Sequence, residues 1–159
     1  MEALLAALGD TGIASFLRGS RYVYPLVNAA HILGIALLVG AIAVLDVRVL
    51  GFARRVPLAG AARLLLPVTI TGLVLAVVAG IALFSVKPVD YAANPVFLVK
   101  LALIALALGN AAWLRLSTDW AVALGGGAVA PRVRAGAVLS LVLWVSALVA
   151  GRLVAFFGY

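Results

Sequence analysis

The side chains with a chemistry of their own are few. The chain has a single histidine, His31, and Asn28 lies three residues before it, a spacing that puts both on one face of a helix. Lys100 and Arg152 each stand inside an apolar run, and Asn110 follows Lys100 toward the end of the same run. No cysteine is present and the one methionine is the first residue, which excludes disulfides, thiolate metal sites and cysteine nucleophiles. An imidazole in such a chain either ligates a metal, heme iron included, or bridges two helices by a hydrogen bond. A lysine or arginine without an acid beside it either reaches outward to lipid phosphate and water or holds the anionic group of a ligand. There is no GxGxxG and no P-loop, so no nucleotide or flavin cofactor is signalled. Copper favours thiolate, thioether and imidazole ligands, and one imidazole excludes copper or zinc transport. The apolar runs also lack the chain of acids that an ion or proton channel would use.

The elements that position these groups follow from composition. The chain has 159 residues, of which 67% are apolar and only 11% charged, with a mean hydropathy of +1.28. A soluble domain is about half apolar and about a quarter charged, and one this small leaves much of its surface outside its core. The surrounding solvent is therefore lipid. The length allows one domain and excludes a large transporter built from two repeated bundles. A span needs about 20 mostly apolar residues, and four stretches qualify: 22–45, 64–86, 95–114 and 135–157. Each is expected to be helical, because backbone in lipid must satisfy its hydrogen bonds internally. The fold class is an all-α membrane protein, a four-helix transmembrane bundle.

Basic residues set the expected orientation. Arg48, Arg54, Arg55 and Arg63 surround the first connection, and Arg115, Arg132 and Arg134 the third, whereas the second carries Lys87 and Asp90. Positive charge gathers on the cytoplasmic side, which places both termini outside. The formal net charge of +7 then belongs to cytoplasmic loops and not to nucleic-acid binding. Residues 1–21 form a separate N-terminal segment. Met1-Glu2 lacks a basic n-region, so no cleaved signal peptide is expected. Leu4, Leu8, Phe16 and Leu17 keep helical spacing around a break at Gly9-Asp10-Thr11-Gly12, the pattern of an amphipathic interfacial helix. Tyr22, Tyr24, Tyr91, Phe156 and Tyr159 are expected in an outer aromatic belt, and Trp113 and Trp120 toward an inner one.

At a rise of about 1.5 Å per residue, His31 lies about 13 Å below the outer surface, and Lys100 and Arg152 about 7 Å below it. The three groups share the outer half of the bundle, and no acid shares it with them. Gly34, next to His31 on the helix, is expected to open space for a flat ligand against the backbone. Gly72, Ala76 and Gly80, Ala36 and Gly40, and Gly136 and Ser140 give small-residue spacings that allow close helix packing.

The run His31-Ile32-Leu33-Gly34 through Leu45-Asp46-Val47-Arg48 resembles the first helix of the HemJ-type protoporphyrinogen oxidases. Phe97-Leu98-Val99-Lys100-Leu101 is similar to that family's lysine-bearing helix. Aspartate stands at Asp46 in place of that family's proline, and Asn110 replaces its Tyr-His pair. CopD-like membrane domains share the general layout. The Tyr24-Pro25 start, the His-Ile-Leu-Gly run, Leu45 through Gly51 and Asn94-Pro95 resemble an uncharacterised bacterial family of four-helix integral membrane proteins, over most of the chain. The oxidase resemblance implies heme b bound through His31 as axial ligand, with Lys100 as the catalytic residue beside it.

On this reading Asn28, Lys100 and Arg152 complete a cofactor-binding set around His31, and the two cations face the heme propionates. Without a second histidine, the iron is five-coordinate, bound across a homodimer, or ligated by deprotonated Lys100. The function is then electron transfer or heme-dependent oxidoreductase chemistry, with Lys100 or Asp46 handling protons. The alternative is a non-catalytic accessory subunit of a larger respiratory or photosynthetic membrane complex, because small residues make flat faces for other helices. The expected location is the bacterial inner membrane, multi-pass. A reporter fused after Tyr159 is expected to read the outer side; a cytoplasmic signal would invert the topology and move His31 to the inner leaflet.

Overall fold

The structure is a computed structural model that describes residues 5, 7 and 9–157. Leu4, Leu8 and Tyr159 lie outside the described residues. All regular structure among those described is helix: α1 (Gly12–Gly19), α2 (Val23–Val49), α3 (Leu58–Phe84), α4 (Pro88–Ala93), α5 (Pro95–Arg115), α6 (Thr118–Leu124) and α7 (Pro131–Phe157). The helices α2, α3, α5 and α7 are each long and apolar enough to cross a membrane. The protein is a multi-pass membrane protein with an all-α four-helix architecture, and its apolar helix faces meet lipid.

Local chemistry sets the helix ends. Thr11 caps α1, its side chain accepting from the Ala14 amide. Asn94 caps α5, its Oδ1 accepting from Val96 and Phe97 at 2.9 and 3.3 Å, and Pro95 fills the first helical position, where no amide is needed. Ser117 caps α6 through the Trp120 amide. After α2 the chain turns at Gly51, whose φ of +107° suits glycine. The Arg48 side chain closes this loop by donating from Nε to the Val56 carbonyl at 2.6 Å. Three of the four spans outrun the apolar stretches read from the sequence. Helix α2 continues past Leu45 and carries Asp46 and Arg48 within it, α3 begins at Leu58 and takes in Arg63, and α7 begins at Pro131 and takes in Arg132 and Arg134. Helical hydrogen bonding does not stop where hydropathy falls.

The spans pack in the order α3–α2–α7–α5. In its most apolar stretch α2 is 39% buried and α5 only 11%, which makes α2 an inner helix and α5 an edge one. The edge helices α3 and α5 approach each other at the end nearest the chain termini. There Phe84 stacks on Phe97 with ring centroids 5.6 Å apart, and Tyr91 of α4 leans on both. Helix α1 lies at this same end, with Ala14 and Leu17 buried and Phe16 exposed. Arg18 ties it down by donating to the carbonyls of Val86 and Gly9.

The hydrophobic core sits at the opposite, arginine-rich end, where Leu45, Val49, Ala107, Val133, Ala137 and Trp144 pack together. Trp120 belongs to this core and not to an aromatic belt, because the Ser117 cap turns α6 back onto the bundle. Trp113 is exposed. Asp119 of α6 is paired with Arg132 of α7, and that guanidinium holds its carboxyl below the usual carboxylate range.

Helices α2 and α3 touch backbone to backbone. A Cβ placed on Gly34 would lie 2.5 Å from the Ala76 nitrogen, and one on Gly72 would lie 2.5 Å from the Leu38 nitrogen. The space that Gly34 was expected to open for a ligand is therefore filled by α3. Of the small-residue spacings, Gly72–Ala76 and Gly136–Ser140 are buried, whereas Ala36 and Gly40 are exposed. Gly72→Val is expected to force the two helices apart and cost about 1–3 kcal/mol, the usual range for overpacking. Gly40→Ala, with nothing within 4 Å of the new methyl, should be neutral or stabilising. Unfolding midpoints of the two variants in a detergent titration check the contrast.

Candidate functional site at His31 and Lys100

His31 projects from α2 onto α3. Its Nδ1 lies 2.8 Å from the Ala76 carbonyl oxygen. A carbonyl only accepts, so Nδ1 carries the hydrogen and donates, which leaves Nε2 as the nitrogen with the free lone pair. Among the described residues no group hydrogen-bonds to Nε2. The ring lies over Gly80, where a Cβ would come within 3.0 Å of Cε1. Three small positions thus seat the imidazole: Gly34 and Gly72 let the helices close, and Gly80 leaves the ring its room.

Lys100 comes from α5, two helices away in the packing order. Its aliphatic stem runs along Gly151 of α7, where a Cβ would sit 3.4–3.6 Å from Cδ, Cε and Nζ, and its Nζ lies 6.0 Å from the centroid of the Phe97 ring. Lys100 and His31 are near enough to interact electrostatically. Among the described residues Lys100 forms no ion pair. The structure thus brings the histidine and the lysine into one neighbourhood in the half of the bundle nearest the termini.

The other two residues of the expected set lie apart from that centre. Asn28 is exposed, although it shares α2 with His31, because three residues along a helix rotate the side chain by about 60° from its partner. Arg152 is exposed, and its guanidinium lies 5.0 Å from the centroid of Phe156. No three metal-ligating side chains cluster among the described residues, so a metal here would rest on one imidazole and its own chelating frame. Two surface hollows, of about 310 and 330 Å³, lie elsewhere: one between α2 and α3 beside Val44 and Arg48, the other between Arg18 and Pro88.

A second polar group was not foreseen as a unit. Asp46 is buried at the arginine-rich end, with Ser140 of α7 as its hydrogen-bonding neighbour and Arg115 of α5 acting on it electrostatically. Asn110 donates from Nδ2 to the Gly136 carbonyl at 3.0 Å, and Trp144 lies buried one turn from Ser140. The clue in the sequence was the apolar pattern of Val47, Val49 and Leu50, which continues beyond Asp46 and draws it into the helix.

No protein-family model matches the chain, and comparison with curated proteins and with solved structures finds no similar one.

The His31–Ala76 bond joins two helices through a carbonyl that also serves its own helix, so its net worth is small. Hydrogen bonds between membrane helices average about 0.6 kcal/mol. His31→Ala should therefore lower apo stability by no more than about 1 kcal/mol, while Gly80→Val, which drives a side chain into the ring, should cost more. Paired thermal unfolding of the two variants checks that order.

Proposed function

We propose that this is an integral membrane protein that binds heme b through His31 and serves electron transfer or a related redox reaction. The observation that carries the reading is the Nδ1–Ala76 bond. A ligating histidine characteristically donates its second ring nitrogen to a carbonyl or carboxylate, which fixes the tautomer and the ring plane. His31 already meets that condition, so little reorganisation is asked of it. Lys100 supplies positive charge beside the imidazole, and Arg152, near the same end, is free to reach an anionic group. These two cations would oppose the propionates, whose burial in low dielectric is otherwise costly. Bound heme supplies a one-electron iron couple. The chain's residues hold and orient it, and Lys100 is placed to carry a proton in any HemJ-like chemistry on a porphyrinogen. We place the protein in the bacterial inner membrane with both termini outside, on the strength of the arginine-rich connections.

One observation favours a second reading. Helix α5 is the least buried span, and a methyl added at its Gly109 would meet nothing within 4 Å. A smooth exposed face of this kind suits a neighbouring helix, as in an accessory subunit of a larger respiratory or photosynthetic complex. A protein that is colourless when pure and leaves the membrane only with other subunits belongs to that reading.

A reduced-minus-oxidised spectrum of the purified protein, expressed with ample heme, tests the first. A heme b band is expected, and its absence overturns the reading. Lys100→Met separates a ligand role from simple snorkelling. Insertion of the lysine costs on the order of 1–3 kcal/mol, so the apo protein should gain stability on its removal. A ligand anion left unpaired loses about 3–5 kcal/mol, so heme content should fall sharply in the same variant. His31→Ala should lose heme without the apo gain. Unchanged heme content in Lys100→Met removes the lysine from the site.

A further inference from the structure

Asp46 is 6% exposed, and its Oδ2 has no hydrogen-bond partner and no accessible surface. An ionised carboxylate in that position leaves half of its charge without a donor in low dielectric, which is costly. Of the described charged groups Arg115 is the one that acts on it, and no ion pair joins the two. Arg48, two residues further along α2, is turned away to the Val56 carbonyl. Arg63 of α3 and Arg132 and Arg134 of α7 are exposed. From α7 the neutral Ser140 is its hydrogen-bonding neighbour, and the Trp144 indole N–H, one turn further along that helix, is also buried without a partner.

We infer that the Asp46–Ser140 pair between α2 and α7 is a proton-binding site within the membrane, loaded when the helices are packed and served from the arginine-rich end. A neutral carboxylic acid needs no counter-ion and leaves α2 and α7 in contact. The anion needs a donor for Oδ2, and Arg115 is the charged group that acts on it. Loss of the proton therefore favours a rearrangement that brings the Arg115 guanidinium onto Asp46. Asp46 lies three residues from the end of α2, about 5 Å along the axis, so the path to water is short. The site stands apart from His31 and does not rest on heme binding.

Infrared spectroscopy of the whole protein in lipid nanodiscs reads this directly. A protonated carboxylic acid band is expected at neutral pH, shifted in heavy water, lost at high pH and absent in Asp46→Asn. Other described acids do not compete: Asp10 and Asp90 are exposed, and Asp119 is paired with Arg132. No acid band in the wild-type protein at neutral pH overturns the proposal, and so does a band that survives Asp46→Asn. Where Asp46→Asn does not accumulate, Arg115→Gln gives a second reading. Removing the cation that favours the anion should extend the band to higher pH, and an unmoved or reversed titration overturns the proposal.

Discussion

Lipid gives helices no hydrophobic reason to associate, so contact must come from shape and from hydrogen bonds. The backbone contact of α2 with α3 at Gly34 and Gly72 meets that condition, and much else depends on it. Only at that separation does the short His31 side chain span the interface to reach a carbonyl on the opposite helix. The same contact fixes which nitrogen is protonated and where the ring stands relative to Gly80. A bulkier residue at either glycine would alter a tautomer as well as a packing distance.

The packing order carries this local geometry to the rest of the chain. Because α2 is central, it presents His31 to α3 at one end and Asp46 to α7 at the other. Helix α7 repeats the arrangement on its own flank, with Gly136 against Leu114 and Gly151 against Lys100, both from α5. Small residues thus do two jobs in this fold. Some remove volume so that backbones meet, and others leave a channel for one polar or long side chain.

Fold class and span number were legible because hydropathy reports them directly: a run of about 20 apolar residues has few other uses. The nearness of His31 and Lys100 was legible from depth alone, since both descend from the same surface. Rotation about the helix axis was not. Asn28 shares helical spacing with His31 yet is exposed, because the burying neighbour covers a narrow strip of α2. Gly34 read as room for a ligand and is room for a helix. Asp46 fell just beyond the span read as 22–45, and its burial became visible only with α7 packed beside it.

The two ionisable centres are held far apart, and the separation bears on what they are for. Asp46 stands fifteen residues after His31 on α2, about 22 Å of helix. Lys100, beside His31, is thus kept from the one buried acid among the described residues that could neutralise it. Pairing the two would neutralise both, since an isolated charge costs about 2.5–3.5 kcal/mol to insert at mid-membrane and less toward either surface. The chain instead keeps the two groups apart, and a protonated Asp46 carries no charge to neutralise. A cation without an acid at one end favours an anionic ligand, and an acid with a cation held short of it at the other favours a proton. Separate partners, as proposed for the two sites, would be the physical reason for keeping the two groups apart.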